Sequence, residues 1–500
     1  MNVVAGGPFD RNSSHEGAKT RNPWLVFVFS CLRGQPRRSG HSTLLRYSAR
    51  VTRLRGGLNT LEYFTFGFGT MIGVGWVVLM DDWLSRGGPA GGMLGFLIGG
   101  LLLFPIAHTY GRLVETIQDA GAEIAYTETV FPPFVSFAAG WTMILSYAIV
   151  CPWEAVASGN LLARVFPALN TYQLYTIAGS PIYAPRLVVG LVLSLLIVVL
   201  NYRGIKLSGL FQDVMTFGLL AAFAVFTVLG FAKGSSANWQ PWFSHAGTGG
   251  VWLSIFLVMQ IVPYYMTGWE SVAKGSEEAR AGFDPRNFTK AMYASLVAGF
   301  VFYVIIIAVV TYVYPWPEIV SGHVRTEVAF ERTFGYHAIA QLILFGAFLS
   351  LLKIFNGNFV AATRMLYAIG RRNLVHRSLG AVHPTFGTPV VAVTLMGVLT
   401  IAASALGDAI LVPISEVGSL AVGVGWFSTC AAYLARKPAS ASMAIAGAVV
   451  SVAIILMKIV PGVPGSFSRA EWISFLAWSG LGLLFWVLRK SQGSGLKSQV

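Results

Sequence analysis

The sequence predicts an all-α integral membrane protein of about twelve transmembrane helices, a 5+5 inverted repeat with helices 1 and 6 broken and two extra C-terminal helices. Three observations lead there. Hydrophobic residues make up 55% of the 500 positions and charged residues only 11%, with a mean hydropathy of +0.65, far from the composition of a soluble chain. Apolar runs long enough to cross roughly 30 Å of hydrocarbon recur along the chain. The first and sixth of these runs are interrupted by short glycine-bearing stretches, Gly69-Thr70-Met71-Ile72-Gly73-Val74-Gly75 and Tyr265-Met266-Thr267-Gly268.

The runs lie near residues 60–83, 90–113, 134–160, 185–202 and 208–231, then 250–273, 289–314, 337–369, 387–406 and 409–434, and finally 440–460 and 472–488; they are numbered here as spans 1 to 12. Spans 1–5 and 6–10 overlay with the broken helix leading each set. Five is odd, so the second set runs inverted through the membrane and the two breaks meet near the midplane. The expected units are a basic cytoplasmic tail (1–57), a first five-helix repeat (58–231), a second, inverted repeat (250–435), helices 11 and 12 (439–489) and a cytoplasmic C-terminal tail (490–500). The first unit can also be read as an extension from an upstream start codon: its one apolar stretch, Trp24 to Leu32, is too short to span and has no small-residue cleavage pattern.

The net charge of +14 would suit an acidic partner such as nucleic acid, but its distribution argues for topology instead. With the N-terminus cytoplasmic, roughly 25 Lys and Arg fall on inner segments and about 7 on outer ones. Arg50, Arg53 and Arg55 precede span 1, Arg203 and Lys206 separate spans 4 and 5, and Arg371, Arg372 and Arg377 follow span 8. Both termini are then cytoplasmic, in a plasma membrane. Cys31, Cys151 and Cys430 are scattered, with no spacing for a disulfide framework or a metal site, and no cofactor is called for. A metal-ligand cluster, a Ser/His/Asp arrangement and a phosphate loop are all missing from the sequence, which argues against an enzyme.

A helix broken at mid-membrane exposes backbone N–H and C=O groups, tolerated only where they line a cavity or are buried in protein. Such breaks mark the substrate site of a transporter. The restarting half-helix at Gly73, Val74 and Gly75 offers N–H donors and a positive dipole end to a carboxylate. Carbonyls freed around Thr70 and Met71, and near Tyr265 and Met266 before Thr267 and Gly268, suit an ammonium. One small molecule with both groups is an amino acid. The bland alternative is that the glycines are helix-packing contacts, less natural for two matched breaks than for one.

These residues also resemble the amino acid/polyamine/organocation (APC) permeases. The Gly69–Gly75 stretch is similar to that family's span 1 signature, and Gly268-Trp269-Glu270 with Glu277-Glu278 and Asp284-Pro285-Arg286-Asn287 to its span 6 and following loop. Asn356, Ala362-Thr363-Arg364-Met365-Leu366-Tyr367-Ala368, His383-Pro384 and Gly387-Thr388-Pro389 resemble its span 8 region; Gly140-Trp141 and Asn201-Tyr202-Arg203-Gly204 fit as well. The resemblance runs from about residue 58 to 435. It implies the inverted-repeat fold, a site between spans 1, 3, 6 and 8, and transport of amino acids or related amines by symport or exchange. Two departures stand out: Tyr110-Gly111-Arg112-Leu113 replaces a carboxylate by a cation at the inner end of span 2, and the aromatic expected at the span 6 break corresponds to Met266, preceded by Tyr264 and Tyr265.

Ionisable residues inside the bilayer are expensive and need a partner or a task. Lys353, mid-span 8, is a candidate fixed or titratable cation that makes transport sodium-independent; sodium-independent relatives supply such a lysine from span 5, which has none here. Glu270 resembles the glutamate of proton-sensing arginine/agmatine exchangers and is a candidate proton acceptor, in a pair with Lys353 or as a cap for freed N–H groups. Glu154, next to Pro152 and Trp153 in span 3, is either a contact for a cationic substrate or a structural partner of Lys353. His108 reads as a packing residue, Asp81 and Asp82 as solvated, and Trp24, Trp239, Trp242, Trp316 and Trp472 as interfacial anchors. Glu277, Glu278, Arg280 and Arg286 are candidates for an inner gate with Arg112 and the basic loop after span 8.

The sequence therefore points to a secondary active permease for an amino acid or amine, with proton symport first, exchange second, and a non-transporting sensor on the same fold as the alternative of a different class. Its partners are the substrate, protons and the lipid bilayer, with no nucleic acid; the sequence leaves the oligomeric state open.

Overall fold

Hydrocarbon leaves the backbone no hydrogen-bond partner but itself, so each apolar run closes into helix. In a computed structural model that describes residues 54–177, 179–245, 250–407 and 414–489, ten helices are long and apolar enough to cross a membrane, and two shorter apolar ones, Gly250–Tyr265 and Val390–Ser404, stand where spans 6 and 9 are expected. The chain up to residue 53, with Trp24 and Cys31, and the tail from 490 lie outside the described residues. The chain is an all-α membrane protein.

Span 1 is Thr60–Met71 followed, after a gap, by Gly75–Val78. Asn59 starts it as a capping box: its side chain accepts from the N–H groups of Leu61 and Glu62, and the Glu62 carboxylate accepts from Asn59 N–H. The next helix, Met80–Leu102, bends at Gly88 (φ 65°) just before Pro89, where the boundary between spans 1 and 2 is expected; span 2 continues through Phe104–Val114. Span 3 comprises Pro133–Ala148 and Val150–Val165. It breaks one turn before Pro152, whose missing N–H cannot bond Ala148. Spans 4, 5, 7 and 8 are Ala184–Arg203, Ile205–Lys233, Arg286–Val313 and Ala338–Arg371, and spans 10 to 12 are Ile414–Ala435, Ser442–Ile459 and Arg469–Leu488. A two-stranded hairpin, Gln173–Ile177 with Ser180–Tyr183, joins spans 3 and 4.

Many span contacts recur when span n is exchanged with span n+5. Span 1 packs on 7 as 6 packs on 2, span 5 on 8 as 10 on 3, and span 1 on 5 as 6 on 10, while 3 with 8, 4 with 9 and 2 with 7 are self-paired. That is the contact pattern of a pseudo-two-fold repeat. Spans 11 and 12 stand outside it, span 11 on spans 10 and 2 and span 12 on spans 10 and 3. Span 12 is fastened by Trp141 and Trp478, which stack at 4.6 Å and donate indole N–H groups to each other's carbonyls at 2.9 and 3.0 Å.

One interfacial reading is corrected. Trp316 is 7% exposed and its indole donates to Pro241 O at 2.8 Å, so the connection between spans 5 and 6 covers it. His108 is a packing residue, its Nδ1 3.0 Å from the Tyr293 hydroxyl.

Candidate functional site

The two breaks cross in contact. Gly268 (φ 130°) lies so close to the first break that a Cβ there would stand 2.6 Å from Thr70 C and 2.7 Å from Met71 N. Only glycine fits this position, on dihedral and on space.

A cavity of about 650 Å³ ends at this crossing. Thr70, Met71, Gly73, Val74, Gly75, Tyr265 and Thr267 line it, joined by Tyr264, Asn358 and the span 3 residues Ser146, Trp153 and Glu154. Two of the residues expected at the site do not line it. Met266 turns its side chain away, towards Met71 and Gly299, and Gly268 is covered by the first break. The aromatic rings at the second break are therefore Tyr264 and Tyr265, the latter edge-on to Trp83 at 4.8 Å.

The freed backbone groups divide into those that are occupied and those that are open. Lys353 Nζ donates to Ile72 O at 2.5 Å and Gly69 O at 3.4 Å, Ser350 Oγ to Ile72 O and Gly73 O at 2.9 and 2.8 Å, and Asn358 Nδ2 to Thr70 O at 3.2 Å. The ammonium expected at the first break's carbonyls is largely the protein's own. In the second break Tyr265 O accepts from Tyr303 OH at 3.1 Å. Among the described residues, the N–H groups of Gly73, Val74 and Gly75 and the carbonyls of Met71 and Met266 have no hydrogen-bond partner. An α-carboxylate and an α-ammonium need that complement of open donors and acceptors.

Glu270 and Lys353 are not a pair. Glu270 accepts from Gly268 N–H at 3.0 Å and Tyr147 OH at 2.9 Å, capping the second break, while Lys353 serves the first. Glu154 lines the cavity; Lys353 acts on it electrostatically, and one carboxyl oxygen has no hydrogen-bond partner.

On one side the cavity leads out past Asp82, Arg86, Glu416, Ser180 and Glu471. Asp82 pairs with Arg86 at 2.9 Å, and Lys458 with Glu416, so the acidic residue read as merely solvated is part of the cavity mouth. The other side is closed. Glu278 forms a two-pronged pair with Arg364 (2.9 Å each), Lys274 pairs with Glu123 at 2.5 Å, and Arg371 and Arg372 converge on Asp119, with Arg371 also on Glu277. The expected gate is corrected in part: Arg371 and Arg372, which follow span 8 as expected, hold Glu277 and Asp119, but Arg112 pairs with Glu115, three residues on, and Arg364 takes Glu278. Burial alone would raise the Asp119 carboxyl. Arg372 and Arg371, with Gly121 N–H, outweigh burial and hold it below the usual carboxylate range.

Residues 58–485 match the family described as amino acid permease. The chain belongs to that family. Among curated relatives, a methylthioribose transporter of Bacillus subtilis (strain 168) is 24% identical over 459 residues, covering 86% of this chain and 92% of the relative. The branched-chain amino acid permease BcaP of the same organism is 24% identical over 397 residues, 78% and 82% of the two chains, and the amino-acid permease RocE 24% over 402 residues, 75% and 79%. These relatives are named as transporters and permeases, not enzymes. The permease is thus a multi-pass membrane protein whose cavity ends at two crossed helix breaks.

Proposed function

We propose that this permease is a secondary active transporter of an amino acid or related amine, sodium-independent and proton-coupled, working by alternating access in a plasma membrane with both termini cytoplasmic. The open backbone groups at the blind end of the cavity carry this reading: N–H donors at Gly73, Val74 and Gly75 for a carboxylate, and the Met71 carbonyl for an ammonium. Unwound carbonyls of this kind hold sodium in coupled transporters. Here Lys353 fills those of Gly69 and Ile72, which supports sodium independence. Glu154 and Glu270 are the carboxyl groups nearest the cavity end, and Glu154 is the one that faces it. With the N-terminus inside, the cavity opens outward and the ion-paired layer closes the cytoplasmic side.

Uptake into proteoliposomes of a panel of labelled amino acids and amines, under imposed proton or sodium gradients and with or without internal unlabelled substrate, tests the proposal. Accumulation driven by an inward proton gradient and indifferent to sodium is expected. Flux only with internal substrate would replace symport by exchange, and binding without flux would replace transport by sensing.

A further inference from the structure

Within the closed layer beneath the cavity, the Lys274–Glu123 pair is fully buried and is tied to the second break. Lys274 ends the short helix Ser271–Lys274 that follows the span 6 break, and Glu123 begins the short helix Glu123–Glu128 between spans 2 and 3. Both side chains are 0% exposed, and their ion pair is closed at 2.5 Å across 151 positions of sequence. Tyr110 of span 2 donates to the same Glu123 oxygen, and the ammonium stands 5.2 Å from the centroids of both the Tyr110 and Tyr147 rings. Tyr147 in turn donates to Glu270, which caps Gly268 in the break. The turn into Glu123 passes through Ala122 at φ 38°, a strained conformation for a residue with a Cβ.

Two fully buried charges on different elements cost several kcal/mol each to desolvate, and separating them in a dry interior costs more than their pairing gains. A protein that needs only rigidity here would do as well with apolar packing. A pair that must part when water enters one side fits the position: Lys274 rides on the broken helix, Glu123 on the connection between spans 2 and 3. We infer that Glu123 and Lys274 form the latch that holds the closed side of the permease shut, joined to the substrate breaks through Tyr147 and Glu270. This rests on the alternating-access reading. Glu123 and Lys274 are positioning residues that act on the ratio of the two states and touch no substrate.

Ser276, two residues beyond Lys274, is 1% exposed and its hydroxyl has no hydrogen-bond partner, so Ser276→Cys in a background lacking Cys31, Cys151 and Cys430 reports opening without removing a hydrogen bond. Reaction with a membrane-impermeant maleimide, applied to reconstituted protein from the closed side and without substrate, is the measurement. Glu123→Gln and Lys274→Met are each expected to raise the labelling rate about tenfold or more, a shift of the two-state ratio by roughly one decade. The exchanged pair Glu123→Lys with Lys274→Glu is expected to return it to within about twofold. Unchanged labelling in the single variants overturns the latch. If a single variant does not fold, hydrogen exchange on the unmodified protein decides: segments 123–128 and 271–274 gaining exchange together supports the latch, and one opening while the other stays protected overturns it. Wild-type flux separates the two ideas, since no flux with latch-dependent labelling removes the transport reading alone.

Discussion

Lys353 reaches two main-chain carbonyls that lie 281 and 284 positions away in the chain, from a site fully out of solvent. A lysine at the bilayer centre costs roughly 2.5–3.5 kcal/mol on insertion scales, and the carbonyls freed by the break offset that cost. The converse also holds: without the ammonium, Gly69 loses its partner and Ile72 keeps only Ser350. Lys353→Met should therefore lower the melting temperature, an orphaned buried acceptor being worth about 1–3 kcal/mol. In the same variant, uptake should be lost or acquire a sodium requirement as the carbonyls become open to a metal cation. Measured against sodium and pH, uptake with an unchanged rate and profile would remove Lys353 from coupling. The intramembrane lysine was visible in the sequence; its partners were not, because hydrogen bonds to main-chain carbonyls leave no signature in residue identity.

At the scale of elements, the breaks decide the architecture and were the most legible feature. Glycine marks a backbone that leaves the helix, and Gly69 to Gly75 and Gly268 fall where spans 1 and 6 unwind. Gly268→Ala would force a Cβ into the Thr70–Met71 backbone at a positive φ, a strain of about 1–3 kcal/mol before the clash is counted. We expect at least a tenfold loss of substrate affinity, with expression and monodispersity retained in the milder case; an alanine variant with wild-type binding and flux would mean that the breaks need not touch. The side chains at the second break were harder to assign. Tyr264, Tyr265 and Met266 are consecutive on a short irregular stretch, where a rotation of about 100° per residue cannot be phased from sequence, and Met266 turns out to face away from the cavity. The gate was half legible for a similar reason: Glu277 and Glu278 announced a charged layer, but Arg112 and Arg364 are equally good cations on paper, and only tertiary packing brings Arg364 across 86 positions to Glu278.

The whole molecule is asymmetric across the membrane, open through the mouth at Asp82, Arg86 and Glu416 and sealed by layered ion pairs at the other end. Asp119, between spans 2 and 3, draws together Arg371 and Arg372 at the end of span 8. Its pKa is held below the usual carboxylate range, so its contribution to stability is fully present above the unfolded value of about 3.9 and is lost only as pH falls through the lower folded value. Asp119 therefore keeps its charge, and its hold on Arg371 and Arg372, through the mildly acidic range. Asp119→Asn should lower the melting temperature in detergent by a nearly constant amount from about pH 8 to pH 5, and the gap to wild type should close only below about pH 4. Thermal unfolding of both proteins across that range is the check. A gap that closes near pH 6 would mean that Asp119 titrates within the working range, and the seal would then have to be counted among the proton-sensitive parts of the permease.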